Sequence, residues 1–104
     1  MIDWDRIAEL QEEVGEDSFT EVIEMFFEEV EEVLAKLRSD DAEQLKAGLH
    51  FLKGAALNIG MSELSNLCRE AESSVANGDA ASIDIEAIRH SFGGSKAELG
   101  QLLD

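Results

Sequence analysis

His50 is the residue of this chain best placed to form a covalent bond. It shares a helical stretch with Lys46, Lys53 and Gly54. A neutral imidazole nitrogen is a competent nucleophile near neutral pH. A phosphoryl group carries about two negative charges, and Lys53, with Lys46 nearby, can stabilise that charge as it arrives. Gly54 costs about 1 kcal/mol in a helix interior relative to alanine. That cost makes sense where another molecule must approach the helix closely, although a helix-packing contact is the plainer use of such a glycine. The surroundings are equally unusual: no Asp or Glu occurs from Gln44 to Ser62, in a chain with 24 acidic and 8 basic residues. A cation-flanked histidine in that window points to covalent phosphate chemistry.

The helix must present this group to solvent. An α-helix turns about 100° per residue, and with His50 at zero, Leu45, Leu49, Leu52, Ala56 and Ile59 lie roughly 100° to 180° away on one side. That apolar stripe is the core face. Lys46, Lys53, Gly54 and Leu57 lie within about 60° of His50 and face outward with it. Leu57 offers an apolar contact to a partner, and Asn58 beside it completes the supporting candidates.

The remaining elements read as scaffold. A short helix over about 3–14 carries Trp4, Ile7, Leu10 and Val14, with Asp3 as N-cap and Gly15 as its end. A long amphipathic helix follows over 17–38, capped by Asp17 or Ser18, with Glu21 placed for a capping box. Phe19, Ile23, Phe26, Phe27, Val30, Leu34 and Leu37 form its core stripe, opposite a solvated Glu24, Glu28, Glu31 and Glu32 face. Lys36 and Arg38 suit its C-terminal end. The His50 helix spans about 42–59 with Gly60 as C-cap. Ser62 caps a fourth helix over about 63–77, ended by Asn77-Gly78-Asp79. A fifth segment over 84–103 carries Ile85, Ile88, Phe92, Leu99 and Leu102, and Gly93-Gly94 weakens it as one unbroken helix. Trp4 and the Phe19, Phe26 and Phe27 set read as core. Cys68 has the spacing of a small buried hydrophobe. The prediction is all-α: an antiparallel up-and-down four-helix bundle over about 17–103 with a short extra N-terminal helix, forming one domain over 1–104.

Composition narrows the partners. A net charge of −16 argues against nucleic acid and against anionic membrane surfaces. No apolar run approaches the roughly 20 residues of a membrane span, and the N-terminus lacks the features of a signal peptide. A lone cysteine fits a reducing cytoplasm. Nucleotide-binding glycine loops, Cys-x-x-Cys pairs and EF-hand patterns are absent from the sequence. Glu86 and His90 are one pair and cannot build a metal site alone. A methionine at the start and a complete set of helices favour a free-standing protein, and a single core stripe on each helix favours a monomer.

The run His50-Phe51-Leu52-Lys53-Gly54-Ala55-Ala56-Leu57-Asn58-Ile59-Gly60 resembles the signature of histidine-containing phosphotransfer (HPt) domains: His, any residue, Leu, Lys, Gly, two small residues, and a second Gly six positions after the first. Leu64, Leu67, Cys68 and Glu72 resemble the family's next helix. The resemblance covers about 15–103. Leu49 and Ala55-Ala56 depart from the commoner residues without touching His50, Lys53 or Gly54. The resemblance implies a four-helix bundle that shuttles a phosphoryl group between receiver-domain aspartates and His50 in a two-component phosphorelay. Lys53 then assists by charge, and Gly54 lets the receiver dock closely. It implies a phosphocarrier rather than an enzyme, with no ATP-binding or kinase module, no cofactor or metal of its own, and magnesium held by the partner. The implied partners are response-regulator receiver domains or a hybrid histidine kinase. A different class stays open: a degenerate bundle that binds receivers without being phosphorylated.

Overall fold

The computed structural model describes residues 2–103, so Met1 and Asp104, the two ends of the expected domain, lie outside the described residues. Five α-helices follow one another: α1 (Trp4–Val14), α2 (Glu16–Lys36), α3 (Ala42–Asn58), α4 (Ser62–Ala76) and α5 (Ile85–Leu103). A single 3-10 turn, Ala80–Ser82, lies between α4 and α5. The α2–α5 helices pack in a closed ring, each against the next and α5 back against α2, while α1 lies on α2. Arg89, early in α5, donates to the Leu34 carbonyl late in α2 at 3.2 and 2.8 Å. Lys96, further along α5, bonds Glu31, further back in α2, at 2.9 Å. The two helices therefore run antiparallel, as an all-α up-and-down bundle requires.

One continuous apolar core fills the ring. Leu45, Leu49, Leu52 and Ala56 of α3, with Ile59 just past its end, are all fully enclosed, so the core stripe read from periodicity is the buried face. Phe27 and Phe92 meet edge to face at 6.0 Å between α2 and α5, a geometry that aromatic quadrupoles favour.

The helix ends show where backbone geometry overrode sequence cues. Asp3 caps α1 by accepting from the Arg6 amide, and Asp41 caps α3 by accepting from the Gln44 amide, as side-chain oxygens do at N-caps. Neither Asp17 nor Ser18 caps α2. Gly15, at φ 81° and ψ 149°, is both the C-cap of α1 and the N-cap of α2. A conformation open to glycine joins the two helices through one residue, and both candidates already lie inside the helix. α2 ends at Lys36, so Arg38 stands outside it and pairs with Asp40 at 2.7 Å. Ser62 is the first residue of α4 rather than its cap, because Met61 takes the cap position with its side chain buried in the core.

Two apolar residues expected in the core are exposed, Trp4 at 48% and Leu102 at 45%. α1 is a single layer over one end of the bundle, so only its Ile7 and Leu10 side has neighbours. Leu102 lies past the last buried layer, which ends at Leu99. α5 runs unbroken through Gly93-Gly94. Burial of Ile88, Ser91 and Phe92 before the pair and of Ser95 and Leu99 after it outweighs the glycines' poor propensity, because tertiary packing supplies most helix stability in proteins.

α1 is fastened to the turn between α3 and α4. The Asp3 amide donates to the Gly60 carbonyl at 2.6 Å, Ile2 and Met61 form an antiparallel bridge, and Arg6 Nε donates to the Asn58 carbonyl at 3.0 Å. Gly60 sits at φ 70°, and a Cβ there would lie 2.8 Å from the Asp3 carbonyl oxygen. Gly60→Ala should therefore cost about 1–2 kcal/mol from the left-handed backbone alone, with displacement of α1 in addition. Urea denaturation measures the loss, and an unchanged midpoint would show that the turn relaxes freely.

Candidate functional site

α3 presents His50 outward because the opposite side of the helix is the core. Its side chain is 75% exposed, and Nδ1 lies 3.5 Å from Glu72 Oε2 on α4. Lys53, one turn on, places Nζ 2.9 Å from Glu72 Oε1. This is an ion pair without hydrogen-bond alignment: Oε1 is wholly enclosed and accepts no hydrogen bond. Lys53 was expected to be exposed. Its side chain is only 29% exposed, because α4 packs on that side of α3 and Glu72 draws the ammonium inward.

A carboxylate beside Nδ1 favours the imidazole tautomer with its proton there. The lone pair of Nε2 then faces solvent and can attack an electrophile. Glu43, Lys46, Ala47, His50 and Glu72 line a shallow cleft of about 390 Å³. Lys46 is exposed and lies on the His50 side of α3.

Two glycines of α3 separate packing from approach. A Cβ on Gly48 would lie 2.7 Å from Leu37 Cδ2, so Gly48 is where α2 and α3 come close. A Cβ on Gly54 would meet nothing within 4 Å. Gly54 therefore makes no packing contact within the fold, and the bare helix surface beside His50 is open to another molecule. Leu57 is 59% exposed further along the same side, with Asn58 exposed next to it. Only the Asn58 backbone carbonyl is engaged, by Arg6. On the other flank, Phe51 is 40% exposed and lines an apolar groove of about 340 Å³ with Val33, Leu37, Ala47 and Gly48. Ala47 belongs to both the groove and the His50 cleft, so an apolar surface runs directly up to the imidazole.

Other reactive groups are occupied or inert. Cys68 is buried, and burial, followed by the nearby Glu72 charge, pushes its thiol up to about 12. Glu86 pairs with Arg89 rather than with His90.

The structure thus brings His50 and Lys53 together, with Gly54 and Leu57 along the same outward strip. It adds two residues that received no role from the sequence. Glu72 stands on another helix, and its approach depends on how α3 and α4 pack. Phe51 looked like one more apolar residue. Its position about 100° around the helix from His50 was the available signal that it borders the exposed strip.

Comparison with known proteins identifies the family. The profile of the Hpt domain family matches residues 21–104. The phosphorelay intermediate protein YPD1 of Candida albicans is 31% identical over 74 residues, an alignment covering 65% of this chain and 40% of that protein. The chain thus spans well under half the length of that curated relative. No solved structure matches significantly. The family profile covers α3 with its His50 strip, α4 with Glu72, α5 and most of α2, and on that match the chain belongs to the Hpt domain family.

Proposed function

We propose that this chain is a histidine phosphotransfer protein of a two-component phosphorelay, carrying a phosphoryl group on Nε2 of His50 between receiver-domain aspartates. The observation that carries the reading is the solvent-facing imidazole with Nδ1 against Glu72, Lys53 one turn on and nothing over Gly54. The receiver's aspartyl phosphate is the electrophile. The Nε2 lone pair forms the N–P bond as the P–O bond breaks, and the bonding pair leaves with the receiver's carboxylate. The ring keeps its Nδ1 proton and becomes a phosphoimidazolium. Return transfer reverses each step. Positioning and charge stabilisation suffice for such a displacement.

In this reading the chain is a phosphocarrier without kinase activity, works as a monomer in the cytoplasm, and draws on magnesium bound by the receiver. No described helix is long and apolar enough to cross a membrane. The receiver, or the receiver domain of a hybrid histidine kinase, docks on the strip of Gly54 and Leu57 and reaches the Phe51 groove. Lys46 and Asn58 border that footprint. The acidic remainder of the chain steers the choice among receivers by charge.

The test is a panel of purified receiver domains, each charged with a small-molecule phosphodonor and mixed with the whole chain. Acid-labile, base-stable label should pass to the chain from at least one receiver, and transfer from none would overturn the reading. Lys53→Ala should slow that transfer about tenfold, the scale on which a lost charge contact to a transferring phosphoryl group acts. It should also cost roughly 1 kcal/mol of stability by leaving the enclosed Glu72 oxygen without its cation. An unchanged transfer rate would remove Lys53 from the site.

A further inference from the structure

We propose that Glu72 raises the phosphoryl-transfer potential of His50 by holding Lys53, so that the chain is biased to hand its phosphoryl group on rather than to store it. The inference rests on the assignment of His50 as the phosphorylated residue. It concerns the direction of flow, which that assignment leaves open.

In the unphosphorylated state Lys53 is already engaged. Its ammonium lies 2.9 Å from Glu72 Oε1, and that oxygen is closed off from water. Around His50, the cations Lys46 and Lys53 face the carboxylates Glu43 and Glu72, so the site holds no surplus positive charge. A phosphoryl dianion arriving on Nε2 must then compete with Glu72 for Lys53. If Lys53 turns to the phosphoryl group, Oε1 loses its counter-charge inside the protein. If Lys53 stays, the phosphoryl group goes without that cation. Either way the phosphorylated state lies higher than it would above a neutral side chain.

An opposing effect must be weighed. The phosphoimidazolium formed on transfer is a cation at Nδ1, and Glu72 Oε2 attracts it. That contact is longer, at 3.5 Å, and it belongs to a side chain that is 75% exposed, where water screens most of the attraction. The Lys53 contact is shorter and enclosed. The Lys53 side of the balance therefore prevails, and Glu72 disfavours phospho-His50 on net.

Glu72 acts through Lys53 and is a positioning residue, so the decisive measurement is an equilibrium rather than a rate. The probe is the receiver domain that exchanges phosphoryl groups with the wild-type chain in the panel above. It is mixed from both directions, receiver charged or chain charged, until the same ratio of phospho-His50 to phospho-receiver is reached. Glu72→Gln should raise that ratio about tenfold, which corresponds to about 1.4 kcal/mol. In a Lys53→Met background the same change should have little effect, because the residue through which Glu72 acts is gone. Glu72→Met, apolar and of similar length, carries the same expectation if the amide variant does not fold. An equilibrium ratio unchanged or lowered by Glu72→Gln would overturn the inference while leaving His50 as the carrier. A shift that persists in Lys53→Met would also overturn it, because Glu72 would then act directly on the phosphoryl group. Absence of any exchange with the wild-type chain would overturn the His50 assignment and this inference together.

Discussion

His50→Gln should abolish acid-labile, base-stable phosphorylation of this chain by every receiver that labels the wild type. The expected loss is complete because no other residue offers the same chemistry. His90, the second histidine of the sequence, is exposed on α5, on a different helix from Lys53 and Gly54. The Cys68 thiol is buried and held protonated near neutral pH. The fold should scarcely notice the change. The side chain is 75% exposed and its closest polar contact is 3.5 Å long, so thermal unfolding should move by no more than about 0.5 kcal/mol, as for ordinary surface substitutions. A variant that melts like the wild type yet takes no label ties the chemistry to this imidazole. Residual label of the same stability would place the phosphoryl group elsewhere and remove the basis of the proposed relay.

Gly54→Gln should move stability and transfer in opposite directions. Glutamine is a much better helix former than glycine, and exposed interior positions respond by up to about 1 kcal/mol. Nothing lies within 4 Å of the new Cβ, so that gain meets no steric penalty within the fold. The midpoint of urea denaturation should rise. The same side chain then stands one turn from His50 on the surface proposed for receiver docking, and transfer from the charged receiver should slow by at least about tenfold, since small misplacements of reacting groups carry penalties of that size or larger. Unfolding rules itself out as the cause when the slow variant is the more stable one. Normal transfer would mean that no partner closes over Gly54. Gly48→Gln offers the contrast, because a Cβ there already collides with Leu37 between α2 and α3 and stability should fall.

How far the sequence could be read depended on the range of the interaction. The outward direction of His50, the buried stripe of Leu45, Leu49, Leu52, Ala56 and Ile59, and the cap at Asp3 are matters of a few consecutive residues, and local spacing and residue type reach them. Lys53 and Gly54 were legible beside His50 from charge and propensity, and the family resemblance joined them in one task. Glu72 is different in kind. It approaches Lys53 only once α4 has chosen a register against α3, and no local pattern encodes that register. The same packing turned Lys53 from an exposed cation into a half-buried one. Trp4 misled because helical spacing says which residues share a face but not whether anything lies opposite it. The unbroken α5 shows the reverse: propensity argued for a break at Gly93-Gly94, and burial of the neighbouring residues decided otherwise.

The connection between α3 and α4 is three residues long, Ile59 to Met61, and these two helices pack against each other more extensively than any other pair. Contacts between segments so close in sequence have little loop entropy to overcome, so this hairpin is the part of the chain suited to form early in folding. His50, Lys53, Gly54, Leu57 and Glu72 all lie within it. Amide protons of α3 and α4 should accordingly be among the slowest to exchange, while the termini fray. Momentary opening of α1 or of the end of α5 then leaves the His50 strip assembled, and the candidate site persists through the small excursions that a marginally stable bundle undergoes.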